Sequence, residues 1–280
     1  MNLLTKVLPS KPLITILTVV YNDAENLEKT LKSIADQDYK EYEFILVDGG
    51  STDGTLAVIR QYEHLISKWI SEPDNGIYDA MNKGIKMAGG IYINFLNAGD
   101  EYCSHNTLGE VNAILKEGQD IDILYGKVMN DSNGEQSLKY ITGKPIDPFS
   151  LYMTIPICHQ TMFVKLKAFD IVGSYSTDLR ITSDYEWLVK YYRKMESLQK
   201  LHFMDKPLIL YKHGGFSFQN MRKVALERAE IAKNYFPWPY RYLGLLSIIN
   251  LIGKSYLIPI VLKLRILDVY RHIKYGKALA

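Results

Sequence analysis

The chain has 280 residues, enough for one large α/β domain or for one domain with a substantial appendage. A formal charge of only +2 excludes the broad basic surface of a general nucleic-acid binder, and 47% hydrophobic content is that of an ordinary globular protein. Two cysteines, Cys103 and Cys158, stand far apart without a Cys-x-x-Cys, which argues against a disulfide framework or a cysteine zinc site and fits a reducing compartment.

Met1 to Lys6 lead quickly to Pro9 and Pro12 and lack the apolar core of a signal peptide, so the catalytic part is expected in the cytoplasm. Leu13 to Tyr21 predicts a buried strand, and Asn26 to Gln37, with Leu27, Leu31 and Ile34 at helical spacing, predicts a helix. Tyr42 to Val47 is a second strand and Thr55 to His64 a second helix. Lys68 to Ser71 is a short third strand, Ile77 to Ala88 a third helix stopped by Gly89-Gly90, and Tyr92 to Leu96 a fourth strand. This order predicts a parallel sheet with helices on both faces.

Ile121 to Met129 predicts a further strand, Asp131-Ser132-Asn133-Gly134 a turn, and Ser137 to Ile141 its hairpin partner. Ser183 to Lys194 reads as a helix with Ser183 as cap and Glu186 three residues later. Leu208 to Tyr211 is another strand, and Phe218 to Tyr235 a long basic amphipathic helix. After Pro237-Trp238-Pro239 the character changes. Leu243 to Leu262 is mostly apolar but interrupted by Lys254 and Pro259, with Arg241, Lys263, Arg265, Arg271, Lys274 and Lys277 around it. That pattern suits helices lying on an anionic membrane surface better than a span, with packing on the core or in a homodimer as the alternative. The 21 tyrosines suit carbohydrate stacking and amphipathic packing equally.

The chemistry-bearing residues follow the strands. Val47-Asp48-Gly49-Gly50-Ser51-Thr52-Asp53-Gly54-Thr55 closes the second strand, and two aspartates bracketing Gly-Gly-Ser-Thr exceed what helix capping needs. Open α/β sheets bind ligands at the carboxyl ends of their strands. There Asp48 can accept hydrogen bonds from a nucleobase, Thr18 and Tyr21 can flank it, and Gly49 permits close approach. Asn97-Ala98-Gly99-Asp100 closes the fourth strand and places Asp100 to hold a hard divalent ion bridging phosphates. Lys83 and backbone amides near Asn75-Gly76 can offset phosphate charge, so a nucleoside diphosphate is the expected ligand. His159 and Gln160 read either as hydroxyl partners for a sugar or as satisfied core residues.

Together Val47 to Thr55, Asp74-Asn75-Gly76 with Asn82-Lys83-Gly84, and Phe95-Leu96-Asn97-Ala98-Gly99-Asp100 resemble family 2 glycosyltransferases of GT-A fold, over about Pro12 to Phe218. The likeness is strongest to bacterial enzymes that build exopolysaccharide, capsule or O-antigen repeat units. It implies an α/β GT-A domain over 1–235, with a mostly parallel Rossmann-like sheet, a nucleotide-binding half at about 12–100 and an acceptor half at about 101–235. Beyond the stretch the resemblance covers, the apolar and basic composition of residues 236–280 suggests a C-terminal helical tail, on a membrane surface or packed on the core or in a homodimer. The resemblance also implies inverting transfer from a nucleotide sugar, UDP-linked ahead of GDP-linked, to a saccharide or lipid-linked saccharide hydroxyl. Mn²⁺ or Mg²⁺ would assist, at the cytoplasmic face of the bacterial inner membrane.

On this resemblance Asp48, with Gly49 and Ser51, recognises the base, and Thr18, Tyr21 and Glu25 line the same nucleoside pocket. Asp100 is the last aspartate of the metal motif, and Asn97 stands where the family often has another aspartate. Asn97 would then bond a ribose hydroxyl or a metal-bound water. Asp184 is the general base, with Glu186 as rival, and Asp53 keeps a capping role. His213, in Lys212-His213-Gly214-Gly215, falls in a late loop that touches metal or phosphate, with Arg222 as helper. A polyprenyl-phosphate monosaccharide synthase and a non-catalytic nucleotide-sugar-binding partner of an assembly complex remain alternatives. A nucleotidyltransferase is disfavoured, because Val20-Tyr21-Asn22-Asp23 lies where its glycine-rich basic loop belongs.

Overall fold

A computed structural model of the chain describes residues 11–118, 120–131, 141–212, 216–238 and 240–241. The hairpin turn proposed around Asn133, the His213 loop and the apolar tail after Arg241 lie outside the described residues. β1 (Ile14–Val20), β2 (Tyr42–Asp48), β3 (Lys68–Ser71) and β4 (Tyr92–Phe95) form the parallel order β3-β2-β1-β4, linked through α1 (Ala24–Ala35), α2 (Thr55–Gln61) and α3 (Ile77–Met87). The first half thus folds as its alternating pattern requires.

Both faces of this half are buried, with period two. Leu17, Val19, Ile45 and Val47 enter one core with Tyr78 and Met81 of α3. Ile14, Ile16, Phe44 and Leu46 enter the other with Leu27, Leu31 and Ile34 of α1. Sheets buried on both faces read as continuous apolar runs, which is why these strands were visible in the sequence.

Past β4 the sheet becomes mixed. β5 is Glu101–Tyr102, β6 Ile123–Asp131, β7 Ile141–Thr142, β8 Phe163–Lys165 and β9 Leu201–Lys212. The order continues β4-β8-β6-β9-β5, with β8 antiparallel to both neighbours, β6 parallel to β9, and β5 antiparallel to β9. β7 pairs antiparallel with β6, so the returning segment is present at Ile141. β9 is far longer than Leu208 to Tyr211 suggests; Pro207 sits in it where the pairing with β6 shifts register, as a proline must. The second half also carries α4 (Thr107–Glu117), α5 (Pro148–Met153), α6 (Leu166–Val172), α7 (Ser183–Met195), α8 (Phe216–Gln219) and α9 (Met221–Tyr235).

Two expectations change here. The long basic helix is two, because Asn220 divides α8 from α9. Ser183 does not cap α7: Thr182 is the N-cap, and the buried Ser183 hydroxyl has no hydrogen-bond partner among the described residues. α7 has no side-chain cap; Glu227 of α9 instead holds the segment that leads into it. Its carboxylate accepts from the N–H groups of Arg180, Ile181 and Thr182 at 2.9–3.0 Å and from the Thr182 hydroxyl at 3.0 Å. Glu186 instead pairs with Lys190 at 2.8 Å. Most described tyrosines of this half serve packing: Tyr175 lies 5.5 Å from both Tyr78 and Phe95, centroid to centroid, and Tyr152 lies 4.6 Å from Phe236.

Candidate active site

The carboxyl ends of β1, β2 and β4 open on one side of the sheet, as the parallel order demands. At the end of β2, Asp48 has no exposed surface. Its carboxylate accepts from Gly50 N–H at 3.2 Å, Ser51 N–H at 3.0 Å, the Ser71 hydroxyl at 2.6 Å and the Ser51 hydroxyl. Three of these donors fall on Oδ2 and one on Oδ1, so in this geometry Asp48 is turned into its own loop and holds that turn together. Ser51 is part of that lock, since its hydroxyl oxygen accepts from Asn22 N–H at 2.7 Å. Asp53 accepts from Thr55 N–H at 2.9 Å, the loop-fixing role expected of it.

Thr18 is also displaced from the expected pocket: it is fully buried and donates to the Leu96 carbonyl at 2.8 Å. Glu25 points to solvent and pairs with Lys29 at 2.8 Å along α1. Tyr21 stays at the rim, 64% exposed. Beside it Gly49 has a use no side chain permits. A Cβ there would lie 2.5 Å from Oδ2 of Asp74 and 3.3 Å from the Tyr21 ring.

A cavity of about 460 Å³ lies further along the rim. Asn97, Asp100, His159, Gln160, Arg180 and Asp184 line it, with Tyr78 and Tyr211. Asn97 to Asp100 form a tight turn, with Asp100 N–H bonded to the Asn97 carbonyl at 3.0 Å and Gly99 at φ +96°. A turn of that type needs a positive φ at its third residue, hence the glycine. Asp100 is 5% exposed and accepts from Gln160 Nε2 at 3.1 Å. Asn97 Nδ2 donates to His159 Nε2 at 3.2 Å, while its Oδ1 is buried with no hydrogen-bond partner among the described residues.

Across the cavity, Asp184 is the second residue of α7. Its Oδ2 is 2.9 Å from His159 Nδ1 and its Oδ1 is 2.8 Å from the Tyr78 hydroxyl, which also reaches the Ile181 carbonyl at 2.7 Å. Burial pushes the Asp184 carboxyl up. The neighbouring His159 and the Tyr78 hydrogen bond outweigh that and hold it below the ordinary carboxylate range. Burial likewise depresses His159, and Asp184 more than compensates, so the imidazole titrates above its usual value. The adjacent residues His159 and Gln160 thus tie together two carboxylates from opposite halves of the fold, Asp184 and Asp100.

Lys83 is not part of this cavity. Its ammonium is held by Glu72 at 2.9 Å and the Pro73 carbonyl at 2.9 Å, clamping the loop before α3. Asn75 turns its side chain to Asp79 and offers its carbonyl to Arg180 at 2.8 Å. Arg180 is therefore a cation that does line the cavity, and sequence reading missed it. It also missed Tyr78 and Tyr211, each within a segment already singled out for its neighbours. Arg222 is exposed on α9, away from the cavity lining.

Comparison with known proteins agrees with this geometry. Residues 15–171 match the model of glycosyl transferase family 2. The chain is 32% identical over 182 residues to a PGL/p-HBAD biosynthesis glycosyltransferase of Mycobacterium bovis (strain BCG / Pasteur 1173P2), covering 64% of this chain and 69% of the relative. S. aureus TarS 1-349 in complex with UDP-GlcNAc superposes with a TM-score of 0.62 at 20% identity, over 88% of this chain and 74% of that one. Mannosyltransferase PcManGT from Pyrobaculum calidifontis, in complex with GDP-Man and Mn²⁺, gives 0.60 at 16% identity, over 94% and 81%. Likeness at such identity shows a shared GT-A fold, and the match to the family model settles membership: the chain belongs to glycosyl transferase family 2.

Proposed function

We propose that the protein is an inverting glycosyltransferase that moves a sugar from a nucleoside diphosphate sugar, UDP-linked ahead of GDP-linked, to a hydroxyl of a saccharide or lipid-linked saccharide. The observation that carries this is the pair of carboxylates, Asp100 and Asp184, held in one cavity by His159 and Gln160. In the reaction, Asp184 accepts the proton of the acceptor hydroxyl as that oxygen attacks the anomeric carbon. The bond from that carbon to the diphosphate oxygen breaks on the opposite face, and its electron pair leaves with the nucleoside diphosphate. One displacement inverts the centre. A positioned base contributes about 10²–10⁴-fold to such a step.

Arg180 supplies positive charge at the mouth of the cavity for the departing diphosphate. The donor set also suits a hard divalent ion. Such ions take oxygen ligands, and Asp100 and the unpartnered Asn97 Oδ1 are oxygens on the same turn. Those two residues would hold Mn²⁺ or Mg²⁺, which would offset charge on the diphosphate. Among the described residues no three His, Cys, Asp or Glu cluster as a ligand set, so diphosphate oxygens and water would complete the shell. No described helix is long and apolar enough to cross a membrane, and we place the enzyme at the cytoplasmic face of a bacterial inner membrane on the basic, apolar composition of 241–277.

The test is turnover of UDP- and GDP-sugars by the full chain with lipid-linked saccharide, with Mn²⁺ or Mg²⁺ and after chelation. Transfer with inverted configuration, lost in Asp184→Asn and reduced by chelation, is expected. Undiminished transfer by Asp184→Asn would remove Asp184 as base. Transfer to polyprenyl phosphate alone would assign the protein to monosaccharide-lipid synthesis instead.

A further inference from the structure

We propose that Tyr78 is a positioning residue for Asp184, and that Oδ1 of Asp184, the oxygen facing Tyr78, is the one that takes the acceptor's proton. This rests on the reading of Asp184 as base and assigns what that reading leaves open, namely which of its oxygens reacts. Tyr78, His159 and Asp184 all line the cavity, and the two oxygens of Asp184 have unlike partners there. Oδ2 lies 2.9 Å from His159 Nδ1. Because His159 Nε2 accepts from the Asn97 amide, the hydrogen of the neutral ring sits on Nδ1, and the charged ring carries one there as well. Oδ2 therefore always meets an N–H, which donates and cannot accept. A proton added to Oδ2 would weaken that bond, since an oxygen bearing hydrogen is the poorer acceptor. Oδ1 lies 2.8 Å from the Tyr78 hydroxyl, a group that both donates and accepts.

Tyr78 has one hydrogen and two acceptors within reach, Asp184 Oδ1 at 2.8 Å and the Ile181 carbonyl at 2.7 Å. While Asp184 is ionised, one of those two contacts sets lone pairs face to face. Once Oδ1 carries a proton both become bonds: Oδ1–H donates to Tyr78, and Tyr78 donates to Ile181. The arrangement thus gains a hydrogen bond as the base is loaded, in a buried site where an unmade bond is unfavourable. The transfer balances without a proton from Tyr78. The acceptor O–H bond breaks, its proton passes to Oδ1, the oxygen bonds to the anomeric carbon, and the diphosphate leaves with the electron pair of its own bond to that carbon. Burial and the Asp184 charge push the Tyr78 phenol well above its ordinary value, so it stays a hydroxyl throughout. Its ring has little freedom. Tyr78 is 4% exposed near the start of α3, with the Tyr175 ring 5.5 Å away, centroid to centroid. α3 and the loop before it are tied to the Asp184 side of the cavity twice more. Arg180 donates to the Asn75 carbonyl at 2.8 Å, and Asn82 exchanges two hydrogen bonds with the Tyr175 backbone, at 2.9 and 3.0 Å. Only the hydroxyl hydrogen has to turn.

Nucleotide release from UDP-glucose, UDP-galactose, UDP-N-acetylglucosamine and GDP-mannose by the full chain, with water as acceptor, tests this beside calorimetry of UDP and GDP binding. Tyr78→Phe keeps the ring and drops the hydroxyl. It should lower kcat about 10²-fold, as lost geometry at a reacting group does, with donor KM and nucleotide affinity unchanged. Tyr78→4-aminophenylalanine keeps the ring, the size and a donor but is a poor acceptor. Its amine donates to Oδ1 and Ile181 at once, so it should restore the melting temperature yet leave kcat near that of Tyr78→Phe. Recovery of wild-type kcat with the amine would show Tyr78 to be a donor only and overturns the assignment of Oδ1. Wild-type kcat in Tyr78→Phe, with Asp184→Asn inactive, overturns the role of Tyr78 and leaves the glycosyltransferase reading standing. A fall in nucleotide affinity that matches the fall in kcat would make Tyr78 a support of the donor site and overturns it too. Release from none of the four sugar nucleotides by the folded wild type overturns the proposal together with the reading beneath it.

Discussion

A buried carboxylate that accepts from two backbone N–H groups and two serine hydroxyls is a post for its loop, and its removal should read as lost stability. Asp48→Ala leaves Gly50, Ser51 and Ser71 donors without partners, at about 3 kcal/mol in total, given roughly 1–3 kcal/mol for each buried unsatisfied group and partial rescue by water. Urea unfolding should show this as a lower midpoint. His159 acts differently, because it touches Asp184 rather than framing a turn. His159→Gln frees one oxygen of the base and should lower kcat about 10²-fold, as misplacement of a reacting group does, with donor KM unchanged. Steady-state kinetics checks the split. Combined with Asp184→Asn, the change should add little, since the two side chains act as one unit. A full additional loss in the double variant would show that His159 acts on something other than Asp184.

At the scale of elements, the site depends on contacts between segments that are remote in sequence. α9 holds the segment that leads into α7, and four donors converge on Glu227. Glu227→Gln would turn an amide NH₂ toward some of those donors, costing about 2–3 kcal/mol for buried groups left facing each other. Both the melting temperature and kcat should fall, because the same segment carries Arg180 and precedes Asp184. α3 makes a second tight contact. Gly84 packs directly on Leu17 of β1, leaving no space for a Cβ. Gly84→Ala gains about 1 kcal/mol of helix propensity but meets overpacking of roughly 1–3 kcal/mol, so thermal unfolding should show a less stable protein.

These cases mark what the sequence could carry. Strands β1 to β4 and their helices were legible because each buries a periodic set of residues. Strands β5 and β8, of two and three residues, are too short to carry a period, and β9 is broken by its proline shift. The cavity's Asp100, Asp184, His159 and Gln160 were legible as motif residues. That Asp48 spends its carboxylate locally, and that Lys83 clamps a loop, depends on where side chains turn after the backbone is set. The hold from Glu227 crosses 45–47 residues, beyond any local pattern.

For the molecule as a whole, the sheet's parallel half is joined at its lower edge by one more buried carboxylate. Glu43 of β2 is 4% exposed and accepts from the Thr15 hydroxyl of β1 at 2.8 Å, from Gly89 N–H after α3 at 2.7 Å, and from Lys68 of β3 at 2.8 Å. Burial raises its affinity for a proton, but Lys68 and the two other donors outweigh that, so its pKa in the fold lies below the ordinary value. A carboxyl whose folded pKa is depressed stabilises the fold above its unfolded value, about 4.3, and loses that contribution as pH falls through the folded value. Glu43→Gln resembles the protonated side chain at every pH. It should therefore be less stable than wild type by about 1–3 kcal/mol at pH 7, as expected for lost charge-assisted bonds, and the gap should narrow below about pH 4. Urea midpoints at pH 7, 5 and 3.5 measure it. A gap that stays constant with pH would mean that Glu43 contributes through shape alone, and that the acid limit of this fold is set by other carboxylates.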